Sequence, residues 1–214
     1  MSMLFNCPPP AHLNGIAATT CPQKWGQIQK IAFGRSYEDR FANMGAFIGE
    51  NIWEALLAVT NDSKLVVSPY FAGMQFPVAA PITQGGNDNT TINGVTDLQG
   101  GQMIVVPFVL TNQSSQTMRE FRELAAETMI QPGFSNIEAY LFNDNNSVIY
   151  DEGASGDLFN GFKIYNLYIP DVASNGLNSN NTYNCQFELP FGWSQYWNMV
   201  KQTWNPRDLA NAES

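Results

Sequence analysis

No apolar run in this chain lasts more than eight residues, and the longest, Met103 to Leu110, contains Pro107. A bilayer span needs about 20 predominantly apolar residues, so no transmembrane helix is expected. The interruptions come from 17 glycines, 12 prolines and, by count, 23 asparagines among 214 residues. Such punctuation restricts the chain to short strands and short helices joined by turns. Hydrophobic residues still make up 44%. A chain of this size should bury roughly 70% of its unfolded surface, which suits one domain or one domain with an extended arm.

Only 14% of the residues are charged, and 10 Lys and Arg oppose 19 Asp and Glu, a formal charge of −9. Phosphate neutralisation requires clustered cations, so this balance argues against a nucleic-acid binder. It equally disfavours an anionic membrane surface. With few charges available, the surface must be wetted by uncharged polar groups, chiefly asparagine. The first residues lack a basic segment and a continuous apolar one, because Cys7-Pro8-Pro9-Pro10 follows Phe5-Asn6. A secretory signal is therefore not expected. Three cysteines, Cys7, Cys21 and Cys185, are too few for a disulfide framework and read as small buried hydrophobes.

Along the chain, residues 1–35 read as an extended N-terminal arm and residues 36–214 as a single domain. Three successive prolines deny backbone donors, and Asn14-Gly15 and Cys21-Pro22 add breaks. Gln27 to Phe33 reads as a strand at the arm's end. Ile52, Trp53, Leu56, Leu57 and Val59 share one helical face, predicting a helix over 50–60. Lys64 to Ser68 reads as a strand. Residues 83–101 carry Gly85-Gly86, Asn93-Gly94 and Gly100-Gly101, the chemistry of a loop with one short hairpin. Gln102 to Leu110 reads as a strand, and Thr117 with Glu120 has capping-box spacing for a helix ended by Pro132-Gly133. Phe121, Leu124, Ala125 and Met129 form its apolar stripe. Glu138 to Phe142 and Ser147 to Tyr150, separated by Asn143-Asp144-Asn145-Asn146, predict a hairpin. Strands are expected over Gly161 to Ile169 and Thr182 to Leu189, with a polar loop over 174–181. Trp193, Tyr196, Trp197, Val200 and Trp204 recur every three or four residues, predicting an aromatic-faced C-terminal helix. The sum is an α+β fold with a mainly antiparallel or mixed sheet, about three helices and the arm.

The chemical inventory is sparse. The single histidine, His12, lies in the arm, which leaves a Ser-His-Asp or Cys-His arrangement without a natural base. Gly153-Ala154-Ser155-Gly156 misses the nucleophile-elbow pattern by one position. Gly85 to Thr91 has the flavour of a phosphate loop but no lysine. Cys7, His12 and Cys21 offer three soft ligands where a structural zinc site wants four. Asp144, Asn146, Asp151, Glu152 and Asp157 are the densest oxygen cluster, yet depart from the EF-hand spacing. Asp151-Glu152 and Glu38-Asp39 are adjacent pairs, which point apart rather than across a substrate. No catalytic residue, cofactor or metal ligand is assigned. The aromatic C-terminal stripe and the arm suit assembly better, since Trp and Tyr are frequent anchors of interfaces. The expected interface residues are Phe5, Pro8, Pro9, Pro10, Leu13, Trp193 and Trp197.

Several blocks together carry a likeness: Phe5-Asn6-Cys7-Pro8 through Asn14-Gly15, Cys21-Pro22-Gln23-Lys24-Trp25-Gly26 through Phe33, Trp53-Glu54-Ala55-Leu56-Leu57, Asp62 to Pro69, and Gly85 to Gly94. The chain resembles virion structural proteins of tailed phages that infect Bacteroides-type gut bacteria, the crAss-like group included, over roughly residues 5–150. The resemblance implies a non-enzymatic capsid or tail component, such as an auxiliary capsid, head-decoration, fibre-anchoring or tail-associated subunit. It also implies a virion assembled in the host cytoplasm, with other virion proteins, including the major capsid protein, and copies of itself as partners. A second expectation from the residues is a glycan-binding or adhesin module, with Trp193, Trp197 or Tyr183 stacking on sugars.

Overall fold

The computed structural model describes residues 25–36, 40–86, 96–129, 136–171 and 180–211. Its centre is the pairing of β1 (Ile28–Arg35) with β6 (Ile137–Asn143), which is antiparallel with Ala32 opposite Tyr140. Strand β1 is flanked by β2 (Leu65–Val67), and β6 by β7 (Ser147–Asp151), which in turn pairs with β11 (Trp197–Lys201). The short β8 (Phe162–Lys163) pairs with another part of β6. A second sheet has the order β5 (Ile104–Thr111), β10 (Thr182–Leu189), β9 (Tyr165–Tyr168). The third is a two-stranded ribbon, β3 (Pro81–Gln84) with β4 (Asp97–Gly101). Every strand pairing described is antiparallel.

Among the described residues three α-helices accompany the sheets: α1 (Met44–Ile48), α2 (Glu50–Ala58) and α3 (Ser115–Met129). The large sheet is buried on both faces, so β6 reads as an unbroken buried run rather than an alternation. One face meets the second sheet and α3 through Ile31, Phe33, Leu141, Phe108, Phe187 and Phe121. The other packs Tyr140, Phe142 and Tyr150 against Phe47, Trp53 and Leu57 of α1 and α2. The result is an α+β fold of three layers, as expected in class.

The hairpin expected at Asn143–Asn146 is present, and its mechanism is local. Asn143 is fully buried, and its Oδ1 accepts from the backbone N–H groups of Asn145 (3.0 Å) and Ser147 (2.8 Å). Asn146 takes φ +58°, a conformation that asparagine tolerates well.

Three expectations are corrected. The C-terminal aromatic helix does not form: residues 191–196 are turns around Gly192 (φ +79°), and Trp197–Lys201 is a strand with Met199 opposite Ile149. Trp197 and Met199 face one core while Val200 faces the other, the two-residue alternation of a strand. Tertiary pairing with β7 overrides the three-to-four spacing. Second, α3 starts earlier than Thr117, because the Ser114 hydroxyl accepts from the Thr117 N–H at 3.1 Å and acts as the cap. Third, β1 falls inside the stretch read as an arm, where it is an inner strand of the main sheet between β6 and β2. Residues 1–24, with Phe5, Pro8, Pro9, Pro10 and Leu13, lie outside the described residues, as do residues 174–179 of the polar loop expected over 174–181.

Candidate assembly surface

The acidic residues between 144 and 157 do not converge. Asp144 accepts from the Gln27 N–H at 3.1 Å, Asp151 from the Gly153 N–H at 2.9 Å, and Asn146 from Arg207 at 2.9 Å. Glu152 accepts from the Asn198 amide. These oxygens organise turns, and among the described residues no group of three or more acidic, Cys or His side chains is placed to hold a metal. Ser155 lies exposed in the turn that follows Asp151. Cys7, His12, Cys21, Glu38 and Asp39 fall outside the described residues, as do residues 87–91 of the glycine-rich loop. Cys185 is buried among apolar side chains, and burial pushes its thiol up to about 12. A thiol so held stays protonated and is not a nucleophile at neutral pH.

One ionic cluster was missed. Arg40 and Glu138 are both buried and pair at 3.4 Å. Glu138 also accepts from Ser36 Oγ (2.7 Å) and the Gly161 N–H (3.2 Å), while Arg40 donates to Tyr140 Oη (3.1 Å), Ser63 O (3.2 Å) and Arg35 O. Burial raises the Glu138 carboxyl above its ordinary value, and Ser36, Arg40 and Gly161 pull it back. Every oxygen and most of the guanidinium are satisfied within the protein. The cluster therefore fastens Ser36, Arg40 and Ser63 to the sheet and leaves no open group for a substrate. A glutamate inside the apolar run Ile137–Phe142 was the signal for it, since a buried carboxylate needs a cationic or hydrogen-bonding partner.

The two tryptophans expected at an interface lie in an aromatic cluster. Trp25 lies 5.6 Å from Trp193 and 5.0 Å from Trp197 between ring centroids, Phe76 stacks on Trp193 at 5.4 Å, and Phe162 meets Trp193 edge-on at 5.2 Å. Both are half-buried against the inter-sheet core. Tyr183, considered for sugar stacking, is buried. Trp25 closes this cluster from the chain entering β1, and the Asn143 amide donates to its carbonyl at 2.7 Å.

Exposed apolar surface lies elsewhere. The ribbon β3–β4 joins neither sheet, and all four residues of β3 are exposed. Ile82 is 45% exposed, Leu98 64%, and Val78, just before the ribbon, 96%. At its base, the exposed Phe191 ring lies directly on Gly101, where a Cβ would collide with it. A two-stranded ribbon is marginal in water without an apolar partner, and the Phe191 ring buttresses this one at Gly101. A second feature is a trough of about 570 Å³ between the outer strand β2 and helix α3. Phe33, Val66, Phe121 and Leu124 give it apolar walls, Glu120, Glu123 and Glu127 line its α3 side, and Lys30 and Lys64 line it from the sheet side. Arg35, in a neighbouring pocket, is held between Asp62 (2.7 Å) and Glu127 (3.1 Å). Comparison with protein-family models, curated proteins and solved structures returns no match for this chain.

Proposed function

We propose that this chain is a non-enzymatic structural protein of a phage particle, an auxiliary capsid, head-decoration, fibre-anchoring or tail-associated subunit that acts by contact with neighbouring virion proteins. The resemblance of its N-terminal two thirds supplies the particle. The ribbon supplies the mode of action. A pair of strands that leaves Ile82, Leu98 and Val78 in water, attached to neither sheet, gains its stability when another surface covers it. Its low charge suits the centre of an interface, where charged residues are depleted. The polar chemistry described above is consumed in turns and in the Arg40–Glu138 cluster, which is consistent with a protein that holds rather than transforms. The Trp193 and Trp197 faces pack on one another's neighbours, which weakens the glycan-binding alternative.

The test is incorporation. Ile82→Asp with Leu98→Asp should leave a folded protein, by circular dichroism, that is lost from purified particles in quantitative mass spectrometry. Wild-type stoichiometry of the double variant in particles would contradict the reading.

A further inference from the structure

The strand order of the main sheet ends on β2 and on β11, and the register shows which of their residues face outward. The Ser68 N–H donates to the Ile31 carbonyl, so Val66, like Ser68, turns its backbone groups toward β1, whereas Leu65 and Val67 turn theirs away. In β11 the Gln202 N–H donates to the Asn146 carbonyl and the Tyr196 carbonyl accepts from the Glu152 N–H, so Met199 likewise faces out. Asparagine side chains meet both outward residues. Asn211 accepts from the Val67 N–H at 2.8 Å and donates to the Val67 carbonyl at 2.9 Å, the two bonds that a residue of an added strand would make. On β11, Asn198 Oδ1 accepts from the Met199 N–H at 2.7 Å. The segment before Asn211 sets it in place. Lys30 donates to the carbonyls of Arg207 (2.9 Å) and Leu209, the Leu209 side chain is buried, and the Arg207 guanidinium donates to Gln29 (2.7 Å) and Asn146 (2.9 Å). Exposed lysines complete the pattern, Lys64 just before β2 and Lys201 at the end of β11. Lysine at an outer strand discourages another strand from pairing there.

We infer that Asn211 and Asn198 are edge caps, an autoinhibitory device that keeps a second copy of the chain from extending the main sheet. A side-chain amide suits this work, because it carries a donor and an acceptor together, as a peptide group does, and brings no charge to an edge that is partly buried. The excluded partner is a copy because main-chain pairing needs no match of side chains and every copy carries the same edge. Two β2 strands laid antiparallel about a twofold axis set Leu65 opposite Val67 and Val67 opposite Leu65. That closed contact needs the Val67 groups that Asn211 occupies. The inference concerns the main sheet alone and does not depend on the ribbon reading.

The test sets Asn211→Ala, at an exposed position, beside wild type and Asn184→Ala, an exposed asparagine on the inner strand β10 of the second sheet. In dilute solution the Val67 amide of Asn211→Ala should exchange about tenfold faster than in wild type, the scale of one or two net hydrogen bonds. The Val66 amide, which faces β1, should not change. In concentrated solution Asn211→Ala should sediment as a dimer or larger species that wild type and Asn184→Ala do not form. Its Val67 amide should then regain protection, which locates the contact at β2. Asn198→Ala should speed Met199 exchange in the same way, and Asn198→Asp, which keeps the accepting oxygen, should leave it slow. Unchanged Val67 exchange, sedimentation identical to wild type at every concentration, or association that leaves Val67 unprotected would overturn the inference. All of these proteins carry the same ribbon, so association through the ribbon changes them alike and is told apart from a failure of the caps.

Discussion

The main sheet and the β3–β4 ribbon are built from the same strand chemistry yet stand at opposite ends of self-sufficiency. Strand β6 is buried along its whole length, covered on one face by the second sheet and on the other by α1 and α2. Strand β3 is exposed along its whole length. Burial of apolar area is the main favourable term in folding, so the sheet holds itself together while the ribbon leaves the same term unspent. The difference separates residues that make the fold from residues free to recognise another protein.

Phe142→Ala should give the largest effect on folding. Phe142 is fully buried, edge-on to Trp53 at 5.5 Å, and its truncation should cost about 3–5 kcal/mol in denaturant unfolding. A loss below about 1 kcal/mol would mean the sheet is not the stable half.

Arg40→Met comes next, at about 3 kcal/mol near neutral pH, since it leaves Glu138 buried without its cation. Its pH dependence sharpens the contrast. Burial raises the Glu138 carboxyl, so the folded protein binds that proton more tightly than the unfolded chain. Stability therefore falls as pH rises from the unfolded value through the folded one. Without Arg40, which pulls the carboxyl down, the falling window extends to higher pH. Unfolding curves should show the variant losing more, relative to wild type, at about pH 8 than at about pH 5, where more of the carboxyl is protonated. Adding Glu138→Gln should flatten the difference, and a difference that persists would assign the pH dependence to another group.

The smallest effect belongs to the ribbon. The Ile82→Asp and Leu98→Asp pair should change stability of the free protein by about 0.5 kcal/mol or less, as substitutions at exposed positions do. A loss comparable with Phe142→Ala would make the ribbon part of the core and break the comparison.

Much of the fold was readable because its signals are local. The β6–β7 hairpin is marked by asparagines between two apolar runs, and the same Asn143 proves to hold the turn. The helix over 50–58 follows from its spacing, with Trp53, Leu56 and Leu57 buried. What misled was periodicity at the C-terminus. Trp193, Trp197 and Val200 have helical spacing, but Trp193 sits in a turn and the other two on opposite faces of a strand, because β7 offers an edge to pair with. Residues 83–101 read as a loop with one hairpin, and strands there do pair. That the ribbon stands clear of both sheets depends on where distant elements lie, which no local pattern encodes. The Arg40 partner of Glu138 is 98 positions away and was hidden for the same reason.

Amide hydrogen exchange of the wild-type protein, free and within purified particles, measures the distinction at its source. Amides of β1 and β6 should be protected in both states, whereas those of 81–84 and 97–101 should exchange rapidly in the free protein and slow by at least about tenfold in the particle. Ribbon amides that exchange equally fast in both states would show that nothing covers them, and the account of this protein as an assembly subunit built around that ribbon would fail.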